Sequence, residues 1–176
     1  MEGAIVVSSN RALGMGGGIA AVLSTVDVTG ASEVSENSAV TLGGGLYLLN
    51  SRLAAAGDAK IERNTVKFNG GGVYAASSSV VELGAGVTVR SNVAEEQGGG
   101  VHVSMDCILV ARGAVTVADN DATEGAGIFA VSSFLDLDGV DVRGNSASQS
   151  GGGARLVSST LVLHNHASIA ANEAKP

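Results

Sequence analysis

With only one cysteine, Cys107, the chain cannot form an internal disulfide, so packing and hydrogen bonding must hold it together. Rings are nearly as scarce: aromatics are 3% of the residues and tryptophan is absent. The core must then be filled by Val, Leu, Ile and Ala, which suits many small, regular layers. Positive charge is also short, with 10 Lys and Arg against 17 Asp and Glu. The resulting formal charge of −7 disfavours nucleic acid and anionic lipid as partners. No apolar run reaches the length of a membrane span, so direct membrane insertion by helices is excluded. The first residues, Met1 to Val7, are too short and too acidic for a secretory signal. Finally, no 3.6-residue periodicity appears, and glycine and β-branched residues are too dense for helices, which excludes the helical solenoids.

What is present is a rhythm. Asn10, Asn37, Asn64, Asn92, Asn120, Asn145 and Asn172 each follow an aliphatic residue and two fillers, at spacings of 27, 27, 28, 28, 25 and 27. Two places beyond each stands a small residue, as at Ala39, Val66 and Ala94. A glycine cluster comes next, as at Gly43 to Gly45, Gly70 to Gly72 and Gly98 to Gly100. Three short alternating segments then follow, separated by a polar corner and a turn that often carries Gly. Leu135-Asp136-Leu137 and Val140-Asp141-Val142 are examples.

Alternation at period two is strand. Three strands and three corners that return to the same phase every 27 residues or so are solved by stacking identical coils. Each strand then pairs in parallel with its copies, about 4.8 Å above and below. The predicted fold is all-β: a right-handed parallel β-helix (solenoid) of about six coils of about 27 residues, with three short strands per coil. Residues 1–176 are read as a single β-helix domain. Because the chain begins and ends inside its repeat, it is expected to be a fragment of a longer solenoid. The asparagines are predicted to form an internal ladder, each turned inward at a corner in the left-handed conformation that Asn tolerates. The 25-residue interval marks a shortened coil around Gly125 to Asp141.

These motifs resemble the GGAI and FxxN repeats of the chlamydial polymorphic outer membrane proteins. They are similar more broadly to the β-helical passenger domains of autotransporters. The residues that carry the resemblance include Gly44-Gly45-Leu46, Gly71-Gly72-Val73 and Gly99-Gly100-Val101. The asparagine halves include Ile61-Glu62-Arg63-Asn64 and Val89-Arg90-Ser91-Asn92, with Val or Ile where that family has Phe. The resemblance spans almost the whole chain. It implies a cell-surface or secreted location and an adhesin-like or structural role, with no catalytic residues to carry over.

Several residues invite a functional reading. Tyr47, Tyr74, His102 and Phe129, with Arg155 beyond them, form an outward column predicted to lie on an exposed face. There it would bind sugar rings or a partner protein; the plain alternative is ring stacking that strengthens strand pairing. A second outward column runs Glu33, Lys60, Thr88, Thr116, Asp141 and Ser168, with Glu33 over Lys60 as an ion pair of small worth. Asp136, Asp138 and Asp141 share one coil and read as a solvated acidic corner, with no acids at the equivalent places and no arginine nearby. Asp119, Asp121 and Glu124 read similarly. His164 and His166 alternate onto one side but lack a third ligand. Cys107 sits at a corner whose counterparts are read as Arg52, Ser79, Phe134 and Thr160, without an evident base. No catalytic residue, metal site or cofactor is expected.

The leading expectation is a non-catalytic surface or secreted repeat segment, an adhesin-like binding surface or rigid spacer, with protein or carbohydrate partners at a cell surface. The alternative is a fragment of a carbohydrate-active β-helix enzyme of the pectate lyase or polygalacturonase kind. That enzyme would need carboxylates or arginines clustered across neighbouring coils. A purely structural module is the third reading, with end-to-end association through uncapped coils.

Overall fold

The computed structural model describes residues 4–175; Met1 to Gly3, on which the reading of the chain's start partly rests, and Pro176 lie outside the described residues. The chain winds as a β-solenoid of about six turns. Four parallel sheets form its faces, two of seven strands and two of six among the described residues. One middle coil shows the unit: Thr88–Arg90 on the first face, Val93–Ala94 on the second, Val101–Ser104 on the third and Ile108–Arg112 on the fourth. Each pairs in register with its copies. Val89, for example, stands between Ile61 and Val117.

The coil therefore has four strands, not the three expected. The additional one is the short strand just after each asparagine, two residues long in most coils, such as Thr65–Val66 or Val93–Ala94, and longer at Asp121–Glu124 and Ser146–Ser150. Two residues are too few for alternation to show, so the sequence reveals only their small inward member.

Inward side chains stack into aliphatic columns. Val34, Ile61, Val89, Val117 and Val142 line the first face, and Leu53, Val81, Leu109 and Leu135 the fourth, all essentially without solvent contact. Burying each such side chain contributes about 1.5–3 kcal/mol. Parallel pairing at one-coil intervals brings identical positions together, so one layer's packing is repeated along the rod.

The asparagines form the predicted ladder. Asn37, Asn64, Asn92, Asn120 and Asn145 are at most 1% exposed. Each is tied three ways. In Asn92 the backbone N–H and the side-chain Nδ2 both donate to Oδ1 of Asn120, at 3.0 and 3.1 Å. Nδ2 also donates to the carbonyl of Ile61 in the preceding coil, at 2.9 Å. The aliphatic residue of the asparagine motif thus has two tasks. Its side chain fills the core and its carbonyl receives the next coil's amide.

One detail is corrected. The left-handed residue is not the asparagine but the one before it: Ser9, Glu36, Arg63, Ser91, Asp119, Gly144 and Ala171 have φ between 53° and 64°. A non-glycine residue held there costs on the order of 1–3 kcal/mol, and persists only where its surroundings over-determine it. The triply bonded amide beside it does so.

The glycines answer the asparagines. A Cβ on Gly72 would lie 2.6 Å from the carbonyl oxygen of Gly100 and 3.0 Å from Nδ2 of Asn92. The third glycine of a cluster leaves the room that the next coil's amide occupies. The unequal intervals are also explained. In the two 28-residue coils Ser77-Ser78-Ser79 and Met105-Asp106-Cys107 form three-residue corners, where other coils have two, as at Asn50-Ser51. The 25-residue coil is shortened where expected. It lacks one residue before Ile128, and another where Gly139-Val140 replace a three-residue turn such as Gly113-Ala114-Val115.

A second ladder was not foreseen. At the corner between the third and fourth faces, Ser24 N–H donates to Oγ of Ser51, and Ser51 N–H to Oγ of Ser79. The hydroxyls of Ser51 and Ser79 donate to the carbonyls of Leu49 and Ala76. Cys107 occupies the next rung, its Sγ 3.0 Å from the carbonyl of Ser104. Its counterparts are accordingly Ser51, Ser79 and Ser133; of the four expected, Ser79 alone stands, and Arg52, Phe134 and Thr160 lie one residue further on.

Truncating Asn92 to Ala orphans buried donors and acceptors on three neighbours. Urea unfolding should show stability lowered by about 1–3 kcal/mol per unsatisfied group, whereas Asn10→Ala, at an exposed rung, should cost less. Gly72→Ala should destabilise at least as much as Asn92→Ala, because the clash is with backbone; an unchanged midpoint would refute the paired role of glycine and amide.

Candidate functional site

The expected ring column exists, in register and stacked. Ring centroids are 5.7 Å apart for Tyr47 and Tyr74, 4.8 Å for Tyr74 and His102, and 5.1 Å for His102 and Phe129. Its exposure is corrected: Tyr47, Tyr74, His102 and Phe129 are only 7, 8, 4 and 2% accessible. The chain turns back over the rings on its way out of the second face. Leu42 and Leu49 pack against the tyrosines. The backbone of Leu42, Asn69, Gln97 and Glu124 pairs from coil to coil alongside. The first glycine of a cluster leaves space beside the ring residue: a Cβ on Gly98 would lie 2.7 Å from the Cβ of His102, and one on Gly125 2.8 Å from that of Phe129. Arg155 ends the column, its guanidinium 3.0 Å from Glu124 and bonded to Ser150. These rings are wall, not platform.

Burial drives the pKa of His102 down to about 4, with the carbonyl of Gln97 opposing weakly. Its Nδ1 has no hydrogen-bond partner. The imidazole is a neutral ring in an apolar slot.

On the first face, Glu33 and Lys60 are register partners, yet the Glu33 carboxylate meets Arg63 at 3.0 Å instead. Arg63 also reaches Glu36 and Glu62, and Arg90 reaches Glu62 at 2.6 Å. Burial alone would raise the Glu62 carboxyl; the hydrogen bonds from Arg90 and Arg63 outweigh it and hold it below the ordinary value. This face closes on itself in ion pairs. Thr88 and Thr116 stack as expected, between Lys60 and Asp141.

The fourth face is different. Phe134, Asp136 and Asp138 alternate outward along the strand Phe134–Asp138. Arg112 on the strand before lies 2.6 Å from Asp136 and 3.6 Å from Asp138. On the strand after, Nε2 of His164 is 3.4 Å from Asp136 Oδ1, and Asn165, in the turn that follows, donates to Asp138 at 2.8 Å. The reading that no arginine lies nearby is thus overturned; the register positions beside Asp136 and Asp138 hold Val110, Arg112, Val162 and His164, none of them acidic. Arg112, Asp138 and His164 are register partners, a fact hidden until the fourth-face strands are aligned to five residues. Asp141 stands apart, paired with Arg143 at 2.6 Å. His166 is separated from His164 by left-handed backbone, so strand alternation does not carry through. Among the described residues no three of His, Cys, Asp and Glu are grouped to hold a metal.

At the other end of the same strand Phe134 is 42% exposed and Ile108 beside it 41%. They border an open groove of about 350 Å³ lined also by Asp106, Ser132, Ser133 and Ser158, with Cys107 at its floor. Burial pushes the Cys107 thiol up, and Asp106 adds to this, so it is a poor nucleophile. No helix of the described residues is long and apolar enough to cross a membrane. The face as a whole offers an exposed ring, hydroxyls, two carboxylates, a guanidinium and an imidazole across three coils.

Because the folded pKa of His102 lies below its unfolded value, the unfolded chain takes up the proton first. Stability should be complete above about pH 6.5 and fall as the pH drops toward 4, by roughly 3 kcal/mol from this residue. His102→Phe should lack that component, and subtracting its unfolding curves from those of the wild type isolates it; identical pH profiles would refute the neutral buried ring. No protein-family model, curated protein or solved structure matches the chain, so its function has to follow from its own geometry.

Proposed function

We propose that the chain is a non-catalytic β-helical segment of a surface or secreted protein, holding an adhesin-like binding face on a rigid rod. The observation that carries this is the division of labour among its residues. Inward positions repeat from coil to coil, while the fourth face carries the exposed Phe134 and Ile108 beside a mutually paired cluster of Arg112, Asp136, Asp138 and His164. The resemblance to autotransporter-type repeats supports the surface location. The partners proposed for it are protein or carbohydrate at a cell surface. End-to-end association belongs to the same proposal, supported by the exposed Val22 and Leu23.

A second reading, a carbohydrate-active enzyme, is favoured by one observation: Arg112, Asp136, Asp138 and His164 converge across three coils. A hydrolase or lyase uses such groups for proton transfer.

Beads coated with the purified chain should adhere to intact cells, and uncoated beads should not; equal retention removes the binding role. Incubation with polygalacturonate, xylan and cellulose should release no new reducing ends or unsaturated products. Cleavage that disappears in Asp136→Asn would replace the leading reading by the enzyme. Light scattering should rise with concentration, and a monomer throughout would remove the end-to-end contact.

A further inference from the structure

The geometry points to a specific ligand class at the fourth face: we propose that the groove bordered by Phe134 and Ile108 binds an uncharged pyranose of an oligosaccharide chain. This rests on the surface-binding reading and names the site and chemistry for it. The faces are unequal candidates. The first is occupied by its own ion pairs among Glu33, Glu62, Arg63 and Arg90. The third has its rings covered, Phe129 to 2%. The fourth keeps an aromatic ring in solvent at the edge of a groove, and Ile108 widens the apolar surface.

A pyranose has one apolar C–H face and a rim of hydroxyls. The apolar face matches an exposed phenyl ring, which contributes large contact area without demanding a polar partner. The rim matches the corner residues of consecutive coils. Asp106, Ser132 and Ser158 stand side by side there, in left-handed backbone that leaves their side chains outside the core. Unlike Ser133, whose hydroxyl is engaged with the carbonyl of Val131, they are not bound into the ladder. The groove, about 350 Å³, is at the lower end of the range for small-molecule sites.

Charge selects within the sugars. Asp106 lies in the groove, Asp136 and Asp138 continue outward along the same strand, and the formal charge is −7. Arg112 is committed to both carboxylates of that strand. A uronate or sulfated chain would meet repulsion, and a neutral one would not. At about 3.3 Å per residue, Phe134 to Asp138 spans some 13 Å, enough for more than one sugar unit along the strand.

The test is an array of neutral and acidic oligosaccharides probed with the full chain, beside the variants Phe134→Ala, Phe134→Trp and Phe68→Ala. The proposal expects retention on neutral hexose oligosaccharides, a loss of at least tenfold in Phe134→Ala at an unchanged melting midpoint, and retention in Phe134→Trp. Phe68→Ala, which alters the other exposed phenyl ring, should bind like the wild type. Equal binding by Phe134→Ala, a preference for acidic glycans, or no glycan bound at all would each overturn the site. Bead adhesion to cells alongside an empty array would overturn the sugar alone and leave the surface-binding reading standing; loss of both would remove the two together.

Discussion

The structure depends on one hydrogen-bonded group, the buried asparagine amide. It ties three coils at once, donating forward through two N–H groups to the next amide and backward to a core strand's carbonyl. A buried amide left unpaired is expensive, so the register of each coil on its neighbours is set by the need to satisfy the whole row. Other features follow from that row. The glycine opposite each buried amide has no side chain because the next coil's backbone carbonyl and the amide together fill its place. The residue before each amide is forced into left-handed backbone, and the chain accepts that strain because the amide defines the corner. Corners elsewhere are free to take one residue more or fewer, and the intervals between asparagines vary accordingly.

The serine ladder shows the same logic on a smaller scale. A hydroxyl accepts from the preceding coil's N–H and donates within its own corner. A thiol substitutes at one rung because it too can donate, weakly, to a carbonyl. Buried Cys107 therefore needs no catalytic explanation. His102 is similar: set between Tyr74 and Phe129, its ring contributes stacking area, at the cost of a polar atom without a partner.

The division between repeated inward residues and varied outward ones shapes the functional reading. The face whose residues were singled out for binding became wall, because the returning chain covers it. The acidic pair on Phe134–Asp138, read as a solvated corner, became the centre of a cluster with Arg112 and His164. Both reversals have one cause. Alternation within a strand says which side chains point away from the core, but not whether another part of the same coil lies over them.

The sequence by itself determined the period, the parallel stacking, the aliphatic columns and the asparagine ladder. All of these are carried by short-range patterns repeated often enough to be unmistakable, such as Ile61-Glu62-Arg63-Asn64 followed by its glycines. The two-residue strands, the serine rungs and the left-handed residue before each amide left too little local signal. Only the tertiary structure decided which outward residues meet solvent and which meet each other. Arg112 and His164 are 52 positions apart in the chain, and they share one carboxylate because winding places their strands on either side of it.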